Sequence, residues 1–306
     1  MSSGDVPPIL CADDFGISSG VSSAIEELAE IDRISATTAI VTLPTWPREG
    51  LRLSALRQRL AIGLHINLTV GTPLAPMPNL APSGVLPRVG DLLKRCLFGP
   101  ALSAGEIALE VGHQIDRFRD VTGYPPDFVD GHQHVHILPG IRDGFLHALV
   151  SRFPDHCPLV RDPSDRFGAI VARGCAVPKA LSVAALSYGF AAASHRAGFP
   201  TNSGFSGFSS FDPRISFADE LARSFRYAGR RHLIMCHPGY IDAELSRLDP
   251  VVTRRREELR CLLSAPGLKA RIWHLGPQSD RRMQSWTDGE CQLVDDLAAN
   301  GAQLGC

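Results

Sequence analysis

Ile9-Leu10-Cys11-Ala12-Asp13-Asp14 (ILCADD, 9–14) decides the fold. Four small apolar residues read as a strand buried on both faces, and the two carboxylates at its end are expensive to bury unless each finds a metal, a cation or several hydrogen bonds. Beyond it, Ser18 or Ser19 can cap a helix to about Ile31, and Ala36–Thr42 is the next β-branched run. After Pro44 and Pro47 a helical stretch leads to Leu60 and the strand Ala61–Leu68. The order βαβαβ is the mark of a parallel sheet.

Three further apolar runs carry histidine or carboxylate at the same place: LAIGLHINL (60–68), DFVDGHQHVH (127–136) and HLIMCHPGY (232–240). A parallel α/β sheet delivers its strand ends to one rim, so residues from 13 to 237 can meet at one site. The rest of the chain keeps the alternation. The Pro- and Gly-rich stretch 71–90 is a long loop after the third strand, and Ala104–Val121 is a helix with Ile107, Val111, Ile115 and Phe118 on one stripe. Helices over Ile141–Arg152, 180–195, Phe217–Tyr227 and Thr253–Leu263 alternate with strands Leu159–Arg161, Leu233–Cys236 and Arg271–Trp273. This repetition predicts an α/β fold, an incomplete (β/α) barrel in a single domain over 1–306, with about 275–306 as a peripheral C-terminal helix and tail.

With 44% hydrophobic residues over 306 positions the chain can bury a substantial core. A net charge of -1, from 31 basic and 32 acidic residues, gives no electrostatic case for nucleic acid or an anionic membrane, and small neutral substrates fit better. No apolar run reaches the roughly 18–20 residues of a membrane span. The nearest, Ala180–Ala193, is broken by Ser182, Ser187, Tyr188 and Gly189 and reads as a buried Ala-rich helix, with a lid over an apolar substrate as the sharper alternative. The N-terminus lacks the regions of a signal peptide, and the eight cysteines never form C-x-x-C, so reduced thiols and a cytoplasmic location are expected.

Asp13 and Asp14 imply two tasks at one strand end, and Gly16 permits the tight turn that follows. His65 lies inside a buried run, as a core histidine or a ligand. In Asp130-Gly131-His132-Gln133-His134-Val135-His136 three histidines alternate at period two, which puts them on one side of an extended segment. His132 is the ligand nearest the strand end, with His134 and His136 behind it or against substrate. One carboxylate and two imidazoles suit a catalytic divalent cation with open positions, zinc first and magnesium or another divalent ion as alternatives; a closed structural zinc site would favour cysteines. His237, held by the turn at Pro238 and Gly239, is a loop histidine when read alone; beside the other strand ends, with a pKa expected near neutrality, it suits proton donation. Arg161, at another strand end, either holds Asp13 ionised or is an ordinary surface arginine.

At these residues the chain resembles the YdjC-like carbohydrate deacetylases, the family that includes chitooligosaccharide deacetylases. The matching elements are ADDFG (12–16), GLHINL (63–68), DGHQHVH (130–136), Arg161 and CHPGY (236–240), in family order over about 9–241. The resemblance implies a distorted barrel, often dimeric, that uses a divalent metal to remove the acetyl group of an N-acetylated amino sugar. It implies Asp14, His65 and His132 as metal ligands, Asp13 as base and His237 as acid. GFSGFSSF (204–211) and the Ala-rich segment before it look like the hopanoid-biosynthesis-associated branch, whose sugar sits on a polycyclic lipid. The competing readings are a metal-dependent phosphoesterase and a carbohydrate- or lipid-binding protein on a retired enzyme scaffold.

Overall fold

The computed structural model describes residues 6–275 apart from 213, 250 and 251. Seven strands, β1 (Ile9–Phe15), β2 (Ala36–Ala39), β3 (Ala61–Ile66), β4 (Phe128–Gly131), β5 (Leu159–Val160), β6 (Gly204–Ser206) and β7 (His232–Cys236), form one parallel sheet in the order β5-β4-β3-β2-β1-β7-β6. The sheet curls until its edges touch. Val160 bridges Thr201 and its N–H donates to Pro200 O at 2.8 Å, while Asn202 accepts from Asp162 N and donates to Asp162 O, each at 2.8 Å. The result is the expected incomplete barrel, its seam a single bridge and one asparagine in place of a ladder.

Helices α1 (Ser19–Glu30), α2 (Trp46–Ala55), α3 (Val89–Phe98), α4 (Ala104–Thr122), α5 (Arg142–Arg152), α6 (Phe167–Arg173), α7 (Val177–Leu186), α8 (Phe190–Arg196), α9 (Phe217–Ser224), α10 (Leu245–Leu248) and α11 (Val252–Ser264) fill the connections. Ser18 caps α1, its side chain accepting from Val21 N, and Gly123 ends α4 in the left-handed conformation.

Period-two alternation divides the core. Ile9, Cys11, Ala36, Ala61, Phe128, Leu159, Phe205, Leu233 and Met235 pack together inside the curl. Their neighbours Leu10, Ala12, Ile62, Leu64, Val129, Val160 and Ile234 pack outward with the helices. Inside, Phe128 lies beside Gly63 in register, and a Cβ at Gly63 would stand 2.6 Å from the ring, so glycine there makes room for the large side chain. The next turn upward on the inner face is polar: Asp13, Thr38, His65, Asp130, Arg161 and His237 continue the same alternation. The apolar plug below thus supports a polar rim above.

The 71–90 loop is pinned by α4. Glu110 accepts from Leu74 and Ala75 N–H and Glu106 from Asn79 and Leu80 N–H, so two residues spaced by four anchor the loop, while Gln114, one turn on, accepts from Asn67 N–H just before it.

Several expectations are corrected. Arg271–Trp273 is no strand: Lys269–Arg271 is a 3-10 turn, and Trp273 N donates to Pro8 O. β6 has no counterpart in the sequence reading. The Ala-rich stretch is two helices separated at Gly189 (φ +76°), and Ala180 is the one buried residue of α7, so it is not a buried core helix. The C-terminal tail expected after 275 falls outside the described residues.

Candidate active site

Strand alternation would send the side chains of Asp13 and Asp14 to opposite faces, yet both reach the rim. The β1–β2 register slips between Ala12 and Phe15, and Asp14 adopts φ +75°, a bulge that re-aims its carboxylate. Gly16 follows at φ +84°, where an added Cβ would meet Ile40 O at 3.0 Å, so the turn requires glycine.

Asp14 Oδ1 lies 2.8 Å from His132 Nδ1 and 3.3 Å from His65 Nε2. One ligand atom from each of the three residues falls within 4.8 Å of the others, and all three side chains are buried. His65 Nδ1 is 2.5 Å from Asp130 Oδ1, its in-register neighbour on β4. Donation from Nδ1–H to Asp130 leaves Nε2 facing Asp14, the carboxylate-backed histidine typical of metal ligands. Burial opposes charge on His65, but Asp130, Asp14 and Asp13 prevail and push its pKa up to about 10. The surrounding carboxylates favour positive charge at this point, and the two imidazoles and one carboxylate form a donor set that suits a divalent cation. A second buried group, Asp13, His65 and Asp130, has comparable spacing, but Arg161 already occupies it.

Arg161 is completely buried. It grips Asp13 through Nη1–Oδ2 at 2.6 Å and Nη2–Oδ1 at 2.8 Å, and its Nη1 is also 2.6 Å from Asp130 Oδ2. Burial pushes the Asp13 carboxyl up, but the guanidinium outweighs it and holds the group well below the usual carboxylate range. Thr38 and Cys11 also donate to Oδ1, so Oδ2, with Arg161 alone, retains acceptor capacity.

The DGHQHVH segment departs from the extended reading. β4 ends at Gly131, and His132–Ile137 coils into a 3-10 turn in which Gln133 (φ +54°) and His134 (φ +59°) are left-handed. The three histidines are consequently dispersed. His132 enters the donor set, and His134 borders the cavity against the rings of Phe205 and Phe208. His136 is buried under Phe145 and Phe190, with Nε2 2.8 Å from Arg161 O, where it steadies the arginine.

His237 emerges at the end of β7 into the same cavity. Burial pushes its pKa down to about 4, against the near-neutral value expected from the sequence, so the resting imidazole is uncharged. Its backbone N–H donates to Glu258 Oε2 at 2.5 Å. Burial raises Glu258 to about 7.

Glu258, Arg255 and Asp249 went unnoticed in the sequence. Arg255 Nη2 is 2.5 Å from Asp14 Oδ2 and 2.7 Å from Asp249 Oδ2. A signal was present: Arg255 and Glu258 share the 3-4 spacing of Leu259 and Leu262, so charge lies in phase with the buried face of α11. These groups line a cavity of about 310 Å³ together with Asp13, Asp14, His65, His132 and His237 and with the apolar Val89, Val183, Phe211, Met235 and Leu248. Among the described residues no helix is long and apolar enough to cross a membrane.

Residues 9–270 match the family model described as YdjC-like protein. A chitooligosaccharide deacetylase of Yersinia pestis (strain Pestoides F) is 30% identical over 269 residues, covering 88% of this chain and 94% of the relative. A chitooligosaccharide deacetylase of Proteus mirabilis is 37% identical over 137 residues, 44% of this chain and 51% of the relative. A carbohydrate deacetylase of Mus musculus is 33% identical over 181 residues, 54% and 57%. The matches to the last two thus span little more than half of those relatives. A solved Enterococcus faecalis structure, described as a cellobiose-phosphate cleavage protein, superposes with a TM-score of 0.63 at 21% identity over 86% of this chain and 92% of its own, a likeness of fold alone. With the family model covering nearly the whole described chain, and the quoted motifs converging on one rim, the chain belongs to the YdjC-like protein family.

Proposed function

We propose that the protein is a metal-dependent carbohydrate N-deacetylase that hydrolyses the acetamide of an N-acetylated amino sugar to acetate and a free amine. The observation that carries this reading is the convergence of Asp14, His65 and His132 beside the Arg161-held Asp13, at the wall of a cavity. The names of the relatives agree with it.

Asp14, His65 and His132 would hold the cation. When bound, a divalent ion supplies Lewis-acid activation of water and of the acetamide carbonyl. Asp13, ionised at any physiological pH, accepts the proton of the attacking water; a carboxylate so firmly held by Arg161 is a weak base and suits a water already made acidic. His237 is neutral at rest, so the proton it delivers is the one Asp13 took from the water, passed on after attack, when negative charge on the substrate oxygen favours the imidazolium; this returns Asp13 to its ionised form. Transfer to the nitrogen lets the amine leave as a neutral group in place of an amide anion.

The apolar residues Val89, Val183, Phe211, Met235 and Leu248 in the lining of the cavity extend the proposal to an acetylated sugar carried on a lipid, such as an N-acetylglucosaminyl hopanoid. Val183 reaches that lining from α7, which favours the Ala-rich segment as a cover over substrate. The test is acetate release from an N-acetylated chitooligosaccharide and from an acetylglucosaminyl lipid, before and after chelation and with zinc restored. Zinc-dependent acetate, matched by free amine, is expected, with the lipid preferred. No acetate from either substrate with zinc bound contradicts the activity; equal use of both contradicts the lipid preference.

A further inference from the structure

We infer that Arg255 is a positioning residue for the cation site: it takes the outer oxygen of Asp14, presents the inner oxygen alone to the ion, and is braced in turn by Asp249. The inference rests on reading Asp14, His65 and His132 as the cation site.

Asp14 stands in a left-handed backbone at a bulge, where the pleat no longer dictates the direction of its side chain. Contacts must set that direction. Oδ1 faces the two imidazoles, and Oδ2 is 2.5 Å from Arg255 Nη2. The same Nη2 and the Nε of Arg255 lie 2.7 and 2.8 Å from Asp249 Oδ2, and the arginine is buried. A planar fork can bridge two carboxylates at a fixed angle, which a single ammonium cannot do without surrendering one of them. Because Asp249 offsets the guanidinium at contact distance, the Arg255–Asp249 pair brings little net charge to the site. Its contribution is therefore direction. A carboxylate with both oxygens free can chelate an ion; with its outer oxygen occupied it offers one, leaving more positions for water and substrate.

The arrangement also links the two halves of the site. Arg255 O accepts from Gly239 N–H at 3.1 Å, and one turn later Glu258 accepts from His237 N–H, so α11 registers the His237 loop against Asp14.

The experiment is a zinc affinity measurement by chelator competition, with the absorption spectrum of bound Co(II) as a second readout, on the wild type, R255M/D249N and R255K. The double variant removes one positive and one negative charge, so net charge is unchanged and only the alignment of Asp14 is lost. The expected result is zinc affinity weaker by about 10–100-fold in the double variant, with an altered Co(II) spectrum. If that variant does not fold, R255K carries the test: its single head group is expected to give a loss of about fivefold or more with an altered spectrum. Affinity within about threefold of wild type and an unchanged spectrum, in whichever variant is folded, overturns the role of Arg255. Wild-type protein that takes up neither metal overturns the cation-site reading beneath it.

Discussion

Asp13→Asn is expected to lower the rate of acetate release by about 10²–10⁴-fold, the usual contribution of a general base, while metal uptake persists. The substitution keeps the shape of the side chain and removes both the charge and the acceptor for the water proton. It spares Asp14, His65 and His132, and Arg161 retains Asp130 at 2.6 Å. Turnover and metal content measured on the same preparation separate the two roles. Near-wild-type turnover in metal-loaded D13N contradicts the assignment of Asp13; loss of metal together with activity shows instead that Asp13 belongs to the binding site.

Arg161→Met is expected to destabilise the metal-free protein by about 3–5 kcal/mol, because it leaves two buried carboxylates without their shared counter-charge. The side chain is fully buried, donates two hydrogen bonds to Asp13 and pairs with the Asp130 carboxylate at 2.6 Å, and methionine fills much of its volume without charge. Urea unfolding of the chelated wild type and variant gives the difference. Its pH dependence has a definite sign. Asp13 has a depressed carboxyl, so the stability it contributes is present above the unfolded carboxylate pKa and is lost as pH falls through the lower folded value. The gap between the two proteins is therefore full at neutral pH and narrows in acid. A difference under about 1 kcal/mol at neutral pH, the range of an exposed pair, contradicts the central place given to Arg161.

The strand ends were legible because burial and chemistry coincide there: ILCA, AIGL and LIMC are continuous apolar runs, and Asp13, His65 and His237 continue the inner alternation by two residues. Register then does what sequence cannot state but topology implies, placing His65 opposite Asp130 and Phe128 opposite Gly63. What escaped was irregular or short. β6 is three residues long, and the seam depends on Thr201 and Asn202, whose use is decided by the curvature of the whole sheet. Gln133 and His134 adopt a conformation that non-glycine residues seldom choose, so a period-two pattern of histidines gave a false extended segment. Arg255 was missed because its partner Asp14 lies 241 positions away and its helix reads as charged throughout; the telling feature was charge in phase with Leu259 and Leu262. The pKa of His237 escaped for a related reason, since burial at the cavity wall has no local sequence signature.

If one divalent ion is held by Asp14, His65 and His132, anomalous diffraction at the zinc edge from zinc-loaded crystals will locate it there. A single strong peak per chain is expected, roughly 2.0–2.2 Å from Asp14 Oδ1, His65 Nε2 and His132 Nδ1. A zinc-loaded chain whose peak lies elsewhere, or which shows none at this rim, contradicts that assignment.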